Sequence, residues 1–264
     1  MFGAIAGDVI GSAYEANAVK TTYFQLFPPG ARFTDDTVLT VATAEVLLGD
    51  GDYAAAYRRY GRAYPNAGYG GSFFRWLFDE RTGPYGSWGN GAAMRVSPVG
   101  FAVDSVDAVL AEAAHSAAVT HDHPEGIKGA QATALAVFLA RSGADKETIK
   151  GEIQDRFGYD LTRSLATIRP GYRFDVSCQG SVPESQIAFL ESTDFEGAVR
   201  NAISLGGDAD TMACIAGGIA QAFYGSVPEP IAGEVRTRLP NGFLGVLDRF
   251  EHRYGLPSSA ADRR

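Results

Sequence analysis

Two short stretches gather carboxylates beside hydroxyls: Thr34-Asp35-Asp36-Thr37 and Gly206-Gly207-Asp208-Ala209-Asp210-Thr211. Each stands where a helix is expected to begin. Thr and Asp are favoured N-caps, and acidic residues in a first turn suit the positive end of the helix dipole. Capping needs one side chain, so the second carboxylate of each cluster is left without a task. Gly206-Gly207 also weakens a helix start more than a cap requires. Donor sets made only of carboxylate and hydroxyl oxygens suit hard cations such as Mg²⁺ or Mn²⁺ and not zinc. If the two helix starts meet, four carboxylates share one volume. They must then take up protons or be neutralised by cations, and two divalent ions fit that charge.

Helices are the elements that must hold such clusters. Apolar residues recur at helical spacing over residues 37–48, 106–119, 127–139, 195–205 and 211–224, and shorter closing helices are expected over 231–239 and 243–254. The 127–139 window is apolar on nearly every face, as a central buried helix would be. Gly225 lies where a C-cap glycine belongs, and Pro228 and Pro230 forbid continuation. The best strand candidate, residues 172–176, is short. The fold class expected is therefore all-α, in one domain over residues 1–256 with a frayed tail at 257–264. Glycines cluster at Gly3-Gly7-Gly11, at Gly217-Gly218 and in Gly86-Ser87-Trp88-Gly89-Asn90-Gly91. The first two groups suit close helix packing. The last lies in a non-periodic stretch and reads as a ligand loop.

Several motifs, in order along the chain, resemble the ADP-ribosylglycohydrolases, the group that includes dinitrogenase reductase-activating glycohydrolase. They are residues 3–15 (Gly3-Ala4-Ile5-Ala6-Gly7-Asp8 through Glu15), Phe33-Thr34-Asp35-Asp36-Thr37, Gly89-Asn90-Gly91-Ala92-Ala93-Met94-Arg95, Thr120-His121, and Leu205 through Thr211. The resemblance implies an orthogonal helical bundle with two Mg²⁺ or Mn²⁺ ions in a central cleft. It implies metal ligation by Thr34, Asp35 and Asp36 from one side and by Asp208, Asp210 and Thr211 from the other. It places Glu15 beside the site on a mobile segment, with residues 16–32 as the flap. Gly86, Ser87 and Asn90 would hold phosphates and ribose, His121 would lie near the diphosphate or ribose, and Trp88 would offer a stacking surface. The implied reaction is hydrolysis at an anomeric carbon through an oxocarbenium-like transition state, with Asp36 or Glu15 moving the proton. An N-linked arginine acceptor is expected first, and an O-linked one (serine, O-acetyl-ADP-ribose, ADP-ribose-1″-phosphate) second. A non-catalytic ADP-ribose-binding or structural relative on the same fold is opposed by Glu15, Asp35, Asp36, Asp208 and Asp210 together. A generic two-metal phosphatase would instead release phosphate.

Composition sets the outer limits. The 264 residues carry a formal net charge of -8, which argues against broad contact with nucleic acid or anionic lipid. Two cysteines, Cys178 and Cys214, make neither a disulfide framework nor a Cys-based zinc site. His115, His121 and His123 lack the spacing and partners of a zinc centre. Asp8 and Glu15 break the apolar opening, and no stretch is long enough to span a membrane. A cytoplasmic monomer is the expectation. Arg95 suits either a buried structural cation or a phosphate contact.

Overall fold

The computed structural model describes residues 1–49 and 51–255, so the tail expected at 257–264 lies outside the described residues. These residues form helices α1 (Phe2–Gly11), α2 (Asp35–Leu47), α3 (Tyr53–Ala63), α4 (Gly71–Phe78), α5 (Gly91–Met94), α6 (Ser97–Ala102), α7 (Val106–Ala118), α8 (Pro124–Arg141), α9 (Lys146–Phe157), α10 (Leu165–Ile168), α11 (Cys178–Leu190), α12 (Phe195–Ile203), α13 (Ala209–Tyr224), α14 (Glu229–Arg236) and α15 (Asn241–Tyr254). The class is all-α, with no strand among the described residues. No described helix is long and apolar enough to cross a membrane.

Most starts follow local side-chain rules. Asp52, Ser105, Asp145, Ser164, Ser177 and Asp194 each accept from the backbone amide three residues on, inside the helix they open. Pro124 opens α8 at its first position. Gly158, Gly225 and Gly255 close α9, α13 and α15 in the left-handed conformation.

The centre of the bundle is an antiparallel seam between α1 and α13. A Cβ added at Gly3 would lie 2.4 Å from the Gly217 carbonyl oxygen, at Gly7 2.0 Å from that of Ala213, and at Gly11 2.4 Å from that of Ala209. Glycine every fourth residue removes the side chains that would hold the two backbones apart. The seam is further pinned by the Gly3 amide donating to Gln221 Oε1 at 2.7 Å. Its antiparallel sense brings the C-terminal end of α1 to the start of α13, which is where the second acidic cluster stands.

Pairing and burial at a distance account for what periodicity leaves out. Residues 172–176 form no strand; the nearby chain makes only one antiparallel bridge, between Gly89 and Ser177. A run this short with no neighbouring strand has nothing to complete a ladder. Helix α11 runs through Pro183, and the polar residues that mask its periodicity are buried and bonded: Ser185 Oγ donates to the Ser181 carbonyl at 2.8 Å and Gln186 Nε2 to that of Ala132 at 3.2 Å. Helix α9 also escapes a periodicity reading, because it buries only Ile149 and Ile153.

Candidate active site

The first acidic cluster opens α2. Thr34 is the N-cap, its hydroxyl accepting from the Asp36 amide at 3.3 Å. A second cap arrives from α1. Asp8 Oδ2 accepts from the Thr34 amide at 2.9 Å and the Thr37 amide at 3.1 Å, and both threonine hydroxyls donate to the same carboxylate. One buried side chain thus ties the end of α1 to the orphan amides of α2. Asp8 is a site residue that motif spacing alone passes over. Its signal in the sequence is a lone carboxylate on the glycine-ridged, otherwise apolar α1.

The second cluster opens α13, and here capping does not account for the carboxylates. The Asp208 side chain makes no cap bond; it accepts instead from Asn90 Nδ2 at 2.7 Å. Asp210 Oδ1 accepts from the Thr211 amide at 2.9 Å, and Thr211 Oγ1 reaches across to Asp36 Oδ2 at 3.3 Å. The preceding glycines have their own reason. Gly206 has φ +64°, with the Val19 carbonyl and Lys20 side chain packed on it, and a Cβ at Gly207 would lie 2.3 Å from the Tyr172 ring. The 16–32 segment is held there by Lys20 Nζ donating to the Leu205 and Tyr172 carbonyls, and by Arg200 Nη1 donating to those of Thr22 and Phe24.

The helix ends converge. Carboxylate oxygens of Asp8, Asp36 and Asp210 lie within 4.8 Å of one another, and so do those of Glu15, Asp208 and Asp210. Asp210 belongs to both triplets. Burial first, and repulsion from Asp210 second, raise Asp8 to about 7 and hold Asp35, Asp36 and Asp208 well above the usual carboxylate range. Partial burial, then Asp210, also raises Glu15. Asp36 Oδ1 is buried with no hydrogen-bond partner. Two overlapping all-oxygen triplets and an unpartnered buried oxygen fit a pair of hard divalent cations.

These groups floor a cavity of about 450 Å³. Glu15, Thr34, Asp35, Asp36, Asp208, Asp210 and Thr211 all line it. Of the expected ligand-loop residues, Ser87, Asn90 and His121 also line it, whereas Gly86 and Trp88 do not. Trp88 stands 53% exposed, its ring 6.4 Å from that of His123. The wall loop is fixed by backbone bonds: Asn90 N to the Val176 carbonyl at 2.7 Å and Cys178 N to that of Trp88 at 3.0 Å. Gly86, at φ +64°, donates its amide to Asp122 Oδ1 at 2.7 Å. Phe174 and Val176 add exposed apolar surface to the cavity lining. Cys178 is buried, which pushes its thiol far above the usual range and leaves it packed rather than nucleophilic. In the aromatic run of α4, Phe73, Trp76 and Leu77 are core, while Phe74 and Phe78 face solvent.

The sequence model of a family described as ADP-ribosylglycohydrolase matches residues 1–257. The chain is 28% identical over 309 residues to ADP-ribosylhydrolase ARH3 of Homo sapiens, covering 86% of this chain and 85% of that protein. It is 27% identical over 258 residues to ADP-ribosylarginine hydrolase Tri1 of Pseudomonas putida (strain GB-1), covering 85% of this chain and 69% of that one. Among solved structures it is similar to a chain described as ADP-ribosylglycohydrolase-related protein complex, with a TM-score of 0.70, 26% identity, and coverage of 93% of this chain and 94% of the other.

Proposed function

The chain belongs to the ADP-ribosylglycohydrolase family, and from that premise we propose that this hydrolase of glycosyl bonds cleaves the bond between the anomeric carbon of ADP-ribose and a modified arginine side chain. The observation that carries the reading is the pair of carboxylate triplets sharing Asp210 on the cavity floor, with Asp36 Oδ1 unpartnered among them. In this reading Thr34, Asp35, Asp36, Asp208, Asp210 and Thr211 hold two Mg²⁺ or Mn²⁺ ions. When bound, such ions neutralise the cluster, fix vicinal ribose hydroxyls and acidify water.

The remaining work falls to the protein's own groups. Ser87, Asn90 and His121 orient the nucleotide along the wall, and Gly86 shapes the loop that carries them. Trp88, with its indole exposed beside that loop, offers an apolar face to the ligand. A water oxygen bonds to the anomeric carbon as the carbon–nitrogen bond breaks. Asp36, at the floor, takes the water's proton, and the departing guanidine nitrogen gains one. Glu15 is exposed and close to Asp208 and Asp210, so it can pass a proton to a group leaving toward solvent. An arginine acceptor is favoured by Glu15, a carboxylate outside the metal-holding set that lies exposed at the cavity and can meet an approaching guanidinium. The name of the Tri1 relative points the same way.

The test is hydrolysis of arginine-linked and serine-linked ADP-ribosyl peptides with Mg²⁺ or Mn²⁺, against EDTA and an Asp36→Ala, Asp208→Ala double variant. Release of ADP-ribose from the arginine-linked peptide, lost with EDTA and in the variant, is the expected result. Preference for the serine-linked peptide would move the acceptor to an O-linkage. ADP-ribose binding without release from either peptide would leave a binding protein, and neither binding nor release would overturn the reading.

A further inference from the structure

The cavity wall contains an arginine in unusual circumstances. Arg95 is fully buried, lines the cavity, and makes no ion pair among the described residues. Its guanidinium carbon lies 4.2 Å from the centre of the Tyr57 ring, and Nη2 donates to the Ser116 carbonyl at 3.0 Å and to Thr120 Oγ1 at 2.9 Å. Nε and Nη1 are equally buried and have no hydrogen-bond partner. The hydrogen bonds from Nη2 are directed at the end of α7 and the loop after it.

Thr120 Oγ1 has one other partner, His121 Nδ1, at 2.8 Å. The direction of these bonds follows from the chemistry of the donors. A guanidinium has five N–H donors and no acceptor, so in its contact with Arg95 the hydroxyl must accept. A hydroxyl has two lone pairs and can accept from both neighbours, but its own buried proton would then lack an acceptor; among the described residues Nδ1 is the acceptor within reach, so the proton points there. A ring nitrogen that accepts carries no proton, so the proton of an uncharged imidazole sits on the other nitrogen. That nitrogen faces the ligand loop: a Cβ built on Gly91 would lie 3.2 Å from His121 Nε2, and one on Gly89 3.6 Å.

We propose that Arg95 and Thr120 are positioning residues that fix the tautomer of His121, so that its ring presents an Nε2–H donor to an oxygen of the ligand in the cavity. The ligand's identity rests on the function proposed above; the tautomer does not. Burial, and then the nearby Arg95, hold the His121 pKa well below its usual value, so the ring is an uncharged donor. The opposite tautomer would aim a lone pair at the ligand oxygen. A buried cation without a carboxylate is costly to keep, and a role in orienting the hydroxyl gives this one a purpose beyond packing on Tyr57.

The experiment is nitrogen-15 correlation spectroscopy of the histidine rings at pH 7 in wild type, Thr120→Val, Thr120→Ser and Arg95→Met, with ADP-ribose affinity measured by calorimetry on the same proteins. His121→Asn assigns the signals among the four histidines. The expected wild-type spectrum has His121 Nδ1 bare and Nε2 protonated. Thr120→Ser keeps that pattern and binds ADP-ribose within about twofold of wild type. Thr120→Val and Arg95→Met give mixed tautomers and lose about tenfold in affinity. A proton on Nδ1 in the wild-type spectrum overturns the proposal, and so does a valine variant with unchanged tautomer and affinity. If the valine or methionine variant fails to fold, the wild-type and serine spectra decide alone. Wild-type protein that shows the expected tautomer but binds no ADP-ribose would refute the function and leave the tautomer assignment standing.

Discussion

The floor of the cavity and its wall are built on opposite principles. The floor is made where α1, α2 and α13 end or begin, and its carboxylates sit on rigid helix termini locked by the α1–α13 seam. The wall is made of loops, residues 86–91 and 174–178, held by a few backbone hydrogen bonds across a single bridge. A floor of this kind sets charge and distance within tight limits, as proton and metal chemistry demand. A wall of loops can change its side chains without disturbing the bundle, which suits recognition. On this view the floor fixes the reaction and the wall selects the ligand.

That division can be broken most severely at the residue both triplets share. Asp210→Asn should lower kcat on the order of a thousandfold with the fold intact by circular dichroism; a rise in KM with kcat unchanged would place Asp210 outside the chemistry. The seam comes next. Gly7→Ala puts a methyl into the Ala213 carbonyl and should cost about 3 kcal/mol in denaturant unfolding. Divalent-cation affinity should fall with it, because the floor depends on the seam. Asp8→Asn should weaken cation binding about tenfold to a hundredfold by calorimetry while sparing the cavity wall, because it removes an oxygen that holds α2 in place.

A pH experiment tests the floor without mutation. In EDTA-treated protein Asp8 is raised from the usual 3.8 to about 7. Between those values the folded state binds a proton that the unfolded state has lost. The associated stability is therefore full below pH 4 and lost as pH rises through 7. Melting temperature should fall on the order of 5 °C between pH 5 and pH 8, and Mn²⁺ at pH 8 should restore it. A flat profile would mean the carboxylates are not desolvated as the geometry requires. The wall should give the smallest effects. Asn90→Ala should cost about tenfold in kcat/KM, since it also releases Asp208. Trp88→Ala should raise KM about threefold with kcat and melting temperature unchanged, because the indole is half exposed and off the cavity lining.

The same division explains what was legible in the amino-acid order. Thr34, Asp35, Asp36, Asp208, Asp210 and Thr211 could be picked out because helix starts have fixed local chemistry, and two carboxylates per start exceed what capping needs. The structure places all six around one cavity. Asp8 was passed over as a site residue because its bonds to Thr34 and Thr37 span 26 and 29 positions, beyond any local pattern. Helix α11 was illegible because its buried polar residues are satisfied by distant partners such as the Ala132 carbonyl. The wall was legible as a glycine-rich loop but not in detail. Which of its residues face inward depends on pairing with residues 176–178, and that pairing left Trp88 outside the cavity lining. The alternating run at 172–176, too short to carry a strand in the all-α reading, forms none for the same reason: a ladder is a property of two segments, not one.

The glycine seam has a consequence in time as well as in space. Gly3 bonds Gln221 across 218 positions of sequence, and the floor cannot exist until that contact closes. Contacts so distant along the chain form late, because loop closure must precede the packing that rewards it. During synthesis the first acidic cluster emerges long before the second, and Asp8 must wait for α13 with its glycine ridge uncovered. Because Asp210 belongs to both triplets, neither is complete until the two halves of the seam lock.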